Sequence, residues 1–229
     1  MPFPHIDGAF REAIVADAAQ CFVIPATVTA GEAAMCEPFA VTLHAVRRAG
    51  SVYGKRVLVT GVGPIGALAV IAARHGGAAE IVATDVTDTP FELVRSLGAD
   101  RCINVATNGA ALAAYAVDKG YFDVLLECSG NERALVGAFD VLQPGATIVQ
   151  VGTGGSITLP INVLVAKEFE LRGTFRFHEE FGLASSLIGS RRVDVRPLIS
   201  ATMPFTDARA AFDLASDRSR AMKVQLAFS

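Results

Sequence analysis

The chain has 229 residues, of which 52% are hydrophobic and 19% charged, with a formal net charge of −3. That apolar content excludes a disordered chain, and the mildly acidic balance excludes the basic footprint of a nucleic-acid binder. No apolar run approaches the ~20 residues of a membrane span, and the opening MPFPHIDGAF lacks the basic-then-apolar layout of a signal peptide. A cytoplasmic protein is expected. Its four cysteines (Cys21, Cys36, Cys102, Cys128) are far apart, without a CxxC pair, and are expected to be reduced thiols.

Residues 1–36 carry short strand-like pieces, Ala13–Ala16 and Cys21–Ile24, without a β-α-β rhythm. From Lys55 the rhythm is regular. Lys55–Gly61 is a short β-branched apolar run that suits a buried strand. Pro64–His75 is rich in Ala, Leu and Ile and stops at Gly76-Gly77, which predicts a helix. A strand at Ile81–Asp85, a helix at Pro90–Leu97 and a weaker strand at Arg101–Val105 follow. Next come a helix at Ala110–Asp118, a strand at Phe122–Glu127, a helix at Arg133–Leu142 and a strand at Thr147–Val151. Strands apolar on both faces, alternating with helices, predict a doubly wound α/β domain with a parallel sheet. The tail, 178–229, reads as a helix, a strand at Ile199–Phe205, a helix at Asp207–Ser216 capped by Thr206 or Asp207, and a last strand at Lys223–Phe228. Ile157–Val165 is apolar enough to form an edge strand that joins two subunits.

The chemistry concentrates in Gly61-Val62-Gly63-Pro64-Ile65-Gly66, a G-x-G-x-x-G turn between a predicted strand and a predicted helix. Gly61 permits the tight turn, Gly63 lets backbone approach a pyrophosphate, and Gly66 lets helix and strand pack closely. The helix start then offers free N–H groups and partial positive charge to the phosphates. Pro64 loses nothing in the first helical turn. Asp85 closes the next predicted strand 19 residues beyond Gly66 (85 − 66), at the place of an acid that accepts from a ribose 2′-hydroxyl and repels a 2′-phosphate. No Lys or Arg follows until Arg95, so NAD is favoured over NADP. An S-adenosylmethionine methyltransferase also places an acid after its second strand and stays a neighbouring reading. Ser129-Gly130 and Gly152-Thr153-Gly154-Gly155 follow later strands, at the ends where open α/β sheets bind ligands. For Gly154 and Gly155 plain turn-making is the preferred reading.

Glu37-Pro38-Phe39-Ala40-Val41 with His44-Ala45, then GKRVLVTGVGPIG, resembles the medium-chain zinc-dependent dehydrogenase superfamily in its sorbitol dehydrogenase branch. KGYFDV (Lys119–Val124), VQVGTGG (Val149–Gly155), KEFELRGTFRF (Lys167–Phe177) and KVQLAF are similar to the L-idonate 5-dehydrogenases within it. The resemblance covers essentially the whole chain. It implies a nicotinamide cofactor, NAD with NADP as a further option, and a small polyol or sugar-acid substrate such as L-idonate, with sorbitol as the alternative. A non-catalytic NAD-binding module is the competing reading.

The resemblance also implies roles. Glu37 matches a glutamate near a catalytic zinc that acts on the metal's water or on the substrate. Ile65, Asp85, Val151, Gly152 and Thr153 match cofactor-contacting positions, as do Thr174, Phe175 and Arg176. Arg176 also matches an arginine that orients the substrate and holds the Glu37 region. Phe177 stands where sorbitol dehydrogenases carry a tyrosine, which moves the substrate reading away from sorbitol. Pro90 replaces a basic residue after the ribose acid. The zinc's main ligands, a Cys and a His–Glu pair, have no counterpart here, and His5, His44, His75 and His178 form no cluster at ligand spacing. The implied organisation is 1–36 and 178–229 as parts of a β-rich, GroES-like catalytic domain around a Rossmann domain at 37–177. Zinc would belong to the intact enzyme, itself a homo-oligomer (dimer or tetramer).

Overall fold

The structure is a computed structural model that describes residues 8–228, so the early His5 lies outside the described residues. Helices α1 (Ala30–Ala34) and α2 (Cys36–Ala49) come first. Thr29 caps α1 with a reciprocal pair of bonds: its hydroxyl accepts from the Glu32 N–H, and the Glu32 carboxylate accepts from the Thr29 N–H. The sheet then builds as β1 (Arg56–Thr60), α3 (Pro64–His75), β2 (Glu80–Asp85), α4 (Phe91–Ser96), β3 (Arg101–Asn104), α5 (Gly109–Ala113) and β4 (Phe122–Glu127). It continues through α6 (Glu132–Gly137), β5 (Leu142–Gln150), α7 (Ile161–Ala166) and β6 (Glu170–Gly173). Helix α8 (Glu180–Gly189), β7 (Ile199–Pro204), α9 (Ala208–Ser216) and β8 (Lys223–Ala227) complete the chain.

The six strands are all parallel, in the order β3-β2-β1-β4-β5-β6. Successive side chains alternate between two cores. Val57, Val59, Ile81, Ala83, Val124 and Leu126 face the layer of α2, α3, α4 and α8. Leu58, Val82, Leu125 and Ile148 face the layer of α5, α6 and α7. This is the expected doubly wound, Rossmann-type α/β sheet. Strand order reverses between β1 and β4, so the crevice at the carboxyl ends of those two strands is the natural ligand site. A separate two-stranded parallel sheet pairs β7 with β8.

Several local expectations fail, each for a physical reason. The segments Ala13–Ala16 and Cys21–Ile24 form no strand: the first is exposed, and the second packs through Phe22 and Ile24 without a partner edge. The helix expected over Ala110–Asp118 stops at Ala113; further on, Asp118 and Lys119 take positive φ and lead into Gly120. Gly120 itself has φ +119, and a Cβ there would stand 2.2 Å from the Leu142 carbonyl oxygen. The helix expected to reach Leu142 ends at Gly137, and β5 already begins at Leu142. The apolar run Ile157–Val165 is no edge strand: after Pro160 it winds into α7. The edge belongs instead to β6, which the sequence hides behind alternating charges, Glu170 and Arg172. Asp207 occupies the N-cap of α9, but neither it nor Thr206 caps the helix through its side chain.

Candidate functional site

The turn after β1 is built by steric exclusion. Gly61 has φ +76, which the left-handed region allows a glycine at little cost, and its missing Cβ would lie 2.7 Å from Ser129 in the turn after β4. A Cβ on Gly66 would stand 1.9 Å from the Gly61 carbonyl oxygen. A Cβ on Gly63 would meet nothing within 4 Å. Two of the three glycines thus hold the turn together, and the third leaves a gap. Helix α3 begins at that gap with Pro64 in its first turn and no side-chain cap. Its first helical hydrogen bond runs from the Ala67 N–H to the Gly63 carbonyl at 2.9 Å, so the amides of Ile65 and Gly66 have no acceptor within the helix.

Asp85, at the end of β2, does more than its sequence position suggests. Its Oδ2 accepts from the Val62 N–H at 2.9 Å, and its Oδ1 accepts from the Val86 N–H at 2.7 Å. The carboxylate therefore clasps the glycine turn to the end of β2 while lying at the mouth of the crevice.

The turns after β4 and β5 interlock. Gly130 has φ +66. A Cβ on Gly152 would lie 2.1 Å from the Gly130 nitrogen, and one on Gly154 would lie 2.1 Å from the Gly130 oxygen. Gly154 is thus required by a close approach between loops and not only by its own turn, while Gly155 has open space around it. Beneath these turns the Glu127 carboxylate is fully buried and accepts from the amides of Ser129 (2.9 Å) and Gly130 (3.0 Å) and from Gln150 Nε2 (2.5 Å). Cys128 sits between them, and burial, with the neighbouring Glu127 second, pushes its thiol pKa well above the usual range. Sequence reading missed Glu127 and Gln150; the available signal was a charged residue closing the otherwise apolar run Phe122–Glu127.

The remaining expected residues lie around this crevice or further off. Val151, Gly152 and Thr153 form the turn after β5, and the amides of Val151 and Gly152 both donate to the Glu127 carbonyl at 2.8 Å. Thr174, Phe175 and Arg176 follow β6, with Phe175 exposed and the Arg176 guanidinium carbon 5.1 Å from the centre of its ring. Arg176 takes φ +55, so it is no ordinary strand-end residue. Glu37 is exposed in the first turn of α2. Two turns on, His44 is buried, and its Nδ1 lies 3.1 Å from the Glu180 carboxylate. A cavity of about 500 Å³ beside this pair is lined by Leu43, Arg47, Ala72, His75 and Glu180. It sits at the far end of α3, roughly 18 Å from the glycine turn at ~1.5 Å per residue.

These residues fit a dinucleotide. The space over Gly63 is one a Cβ would fill, uncapped amides face it, and a carboxylate stands at the ribose position. Two buried polar atoms at this end of the sheet, Gln150 Oε1 and Thr174 Oγ1, have no protein partner. They do not fit zinc. Among the described residues no group of three His, Cys, Asp or Glu side chains could hold a metal ion. Nor is any helix among them long and apolar enough to cross a membrane.

Comparison with known proteins follows the same line. A family model described as zinc-binding dehydrogenase matches residues 64–190. L-Idonate 5-dehydrogenase (NAD(P)(+)) of Escherichia coli K12 is 41% identical over 229 residues, covering 100% of this chain and 66% of that protein. Chicken (Gallus gallus) sorbitol dehydrogenase is 33% identical over 227 residues, 97% of this chain and 64% of that one. The solved E. coli L-idonate 5-dehydrogenase superposes with a TM-score of 0.95 over 100% of this chain and 66% of its own. A Sinorhizobium meliloti protein solved with NADP is 26% identical, with a TM-score of 0.86 over 97% of this chain and 66% of its own. The chain spans a little under two thirds of the length of these relatives.

Proposed function

Because the chain belongs to the zinc-binding dehydrogenase family, we propose that it is the cofactor-binding part of an NAD(P)-dependent polyol or sugar-acid dehydrogenase. L-Idonate, oxidised to 5-ketogluconate, is the substrate of first choice, and sorbitol is second. The observation that carries the reading is the gap over Gly63, walled by backbone-packed turns and closed on one side by Asp85.

In this reading Gly61 and Gly66 shape the turn, and Gly63, Pro64 and Ile65 border the pyrophosphate. The amides at the start of α3 meet its charge. Asp85 accepts from the adenosine ribose. That favours NAD, since a 2′-phosphate would meet a carboxylate already fixed by the backbone. Val151, Gly152 and Thr153 would border the nicotinamide, and Thr174, Phe175 and Arg176 would supply a further cofactor-contacting segment. The bound nicotinamide supplies a two-electron acceptor for hydride. Arg176, a planar donor suited to a carboxylate, orients the sugar acid, and Glu37 serves the reacting centre from the edge of the domain. Zinc ligands would come from the third of the relatives' length that this chain does not span. The same division assigns 1–36 and 178–229 to a catalytic domain and 37–177 to the cofactor domain, with α8 of the final segment packed on the cofactor domain's sheet. Four free thiols support a reducing, cytoplasmic setting. The open edge at β6 supports a homo-oligomer, a dimer or tetramer.

Calorimetric titration tests the reading. NADH is expected to bind the 229-residue chain, and more tightly than NADPH. Added zinc and L-idonate are expected to give no turnover. Absence of dinucleotide binding overturns the cofactor site, and zinc-dependent idonate oxidation by this chain overturns the assignment of the metal ligands.

A further inference from the structure

Among the described residues Glu127 is the fully buried carboxylate at the crevice, and the chemistry described so far does not use it. Five donors converge on its two oxygens. Besides the Ser129 and Gly130 amides and Gln150 Nε2, these are the Ser129 hydroxyl and Thr60 Oγ1 at 3.3 Å. Its own carbonyl accepts from Val151 and Gly152. One residue therefore ties together the ends of β1, β4 and β5. Gln150 extends the tie, because its Nε2 also donates to the Gly152 carbonyl at 2.8 Å.

Packing alone does not call for this arrangement. Leu125 and Leu126, the preceding residues, are fully buried without a polar atom in their side chains, and a buried charge is costly unless its hydrogen bonds are complete. What the carboxylate adds is position. Gly130 lies so close to Gly152 and Gly154 that a Cβ on either would stand 2.1 Å from the Gly130 backbone, and the Glu127–Gly130 bond holds that approach. The glycine turn after β1 has anchors of its own, Gly61 N–H to the Thr84 carbonyl at 2.8 Å and Val62 N–H to Asp85 at 2.9 Å.

We propose that Glu127, with Gln150, is a positioning residue that sets the turns after β4 and β5 as the platform for the nicotinamide half of the dinucleotide. The pyrophosphate half has further anchors at Thr84 and Asp85 and so depends on Glu127 less. This rests on the cofactor reading above.

The test compares NADH with ADP-ribose, which lacks only the nicotinamide, by calorimetry on the whole chain. Glu127→Gln sets an amide donor against the Gly130 N–H or the Ser129 N–H. It is expected to weaken NADH about tenfold, as for the loss of a charged hydrogen bond, and to leave ADP-ribose within about twofold. Gln150→Met, which keeps Glu127 and its backbone donors, is expected to weaken NADH by about threefold, again without moving ADP-ribose. It carries the test should Glu127→Gln not fold. Equal weakening of the two ligands, no weakening of NADH, or a parent chain that binds NADH no better than ADP-ribose overturns the platform role. A parent that binds neither ligand overturns the cofactor reading itself.

Discussion

Alanine at Gly63 and at Gly66 should separate the two tasks of the glycine turn. At Gly66 the new methyl stands 1.9 Å from the Gly61 oxygen and 2.9 Å from its carbon, both rigid backbone. Helix α3 must retreat, and overpacking of this kind costs about 1–3 kcal/mol. For a chain of this size that lowers Tm by roughly 2–4 °C per kcal/mol. At Gly63 the methyl meets no protein atom within 4 Å. The residue is the N-cap of α3 with φ −66, a conformation alanine adopts, so folding loses only the N-cap preference for glycine over alanine, about 0.5–1 kcal/mol. The methyl does occupy the space assigned to a phosphate. Losing charged hydrogen bonds between phosphate and amide costs about 1.5–3 kcal/mol, which is roughly 10- to 140-fold in Kd. Scanning calorimetry and NADH titration on both variants decide the matter. Gly63→Ala should lose NADH with only a small drop in Tm, while Gly66→Ala should show the larger drop in Tm. A Gly63→Ala chain that binds NADH like the parent would refute the placement of the pyrophosphate.

Asp85→Ser removes both the clasp on Val62 and the ribose acceptor; NADH affinity should fall about 10- to 100-fold while the NADPH-to-NADH ratio rises, read by titrating both. Gly120→Ala combines φ +119 with a contact of 2.2 Å to the Leu142 oxygen, so the urea midpoint should drop by more than for any glycine without a backbone contact, such as Gly109. Buried Glu32 has its carboxyl pKa drawn down from 4.5 to about 2, first by the Arg191 guanidinium and next by the Thr29 amide. Its folded value lies below its unfolded one, so its stabilisation is complete above 4.5 and disappears as pH falls towards 2. Urea midpoints across that window should fall for the parent and fall less for Glu32→Gln; equal slopes would contradict the role of the Glu32–Arg191 pair.

The parts legible in sequence were those fixed by local rules. Helix α3 runs from Pro64 to His75 as read, because a proline starts it and a glycine pair ends it. Strands β1, β2 and β4 were legible because both faces are buried and the runs are continuously apolar. Strand β6 was not, since an edge strand with Glu170 and Arg172 has no apolar signature. Helix α7 was misread for the converse reason: Ile161–Ala166 is β-branched and apolar, yet Pro160 and the turn that follows wind it. The site divides the same way. The three glycines and Asp85 carry a spacing that can be read along the chain. The Glu127 hub, the Gln150 bond and the Gly130–Gly152 contact join residues from three strands, and no local pattern records them.

A crystal structure of the chain grown with NADH is the most direct measurement. The pyrophosphate should lie over Gly63 within hydrogen-bond distance of the Ile65 and Gly66 amides, with the adenosine ribose at Asp85. A dinucleotide bound elsewhere, or that gap left empty at saturating NADH, would contradict it.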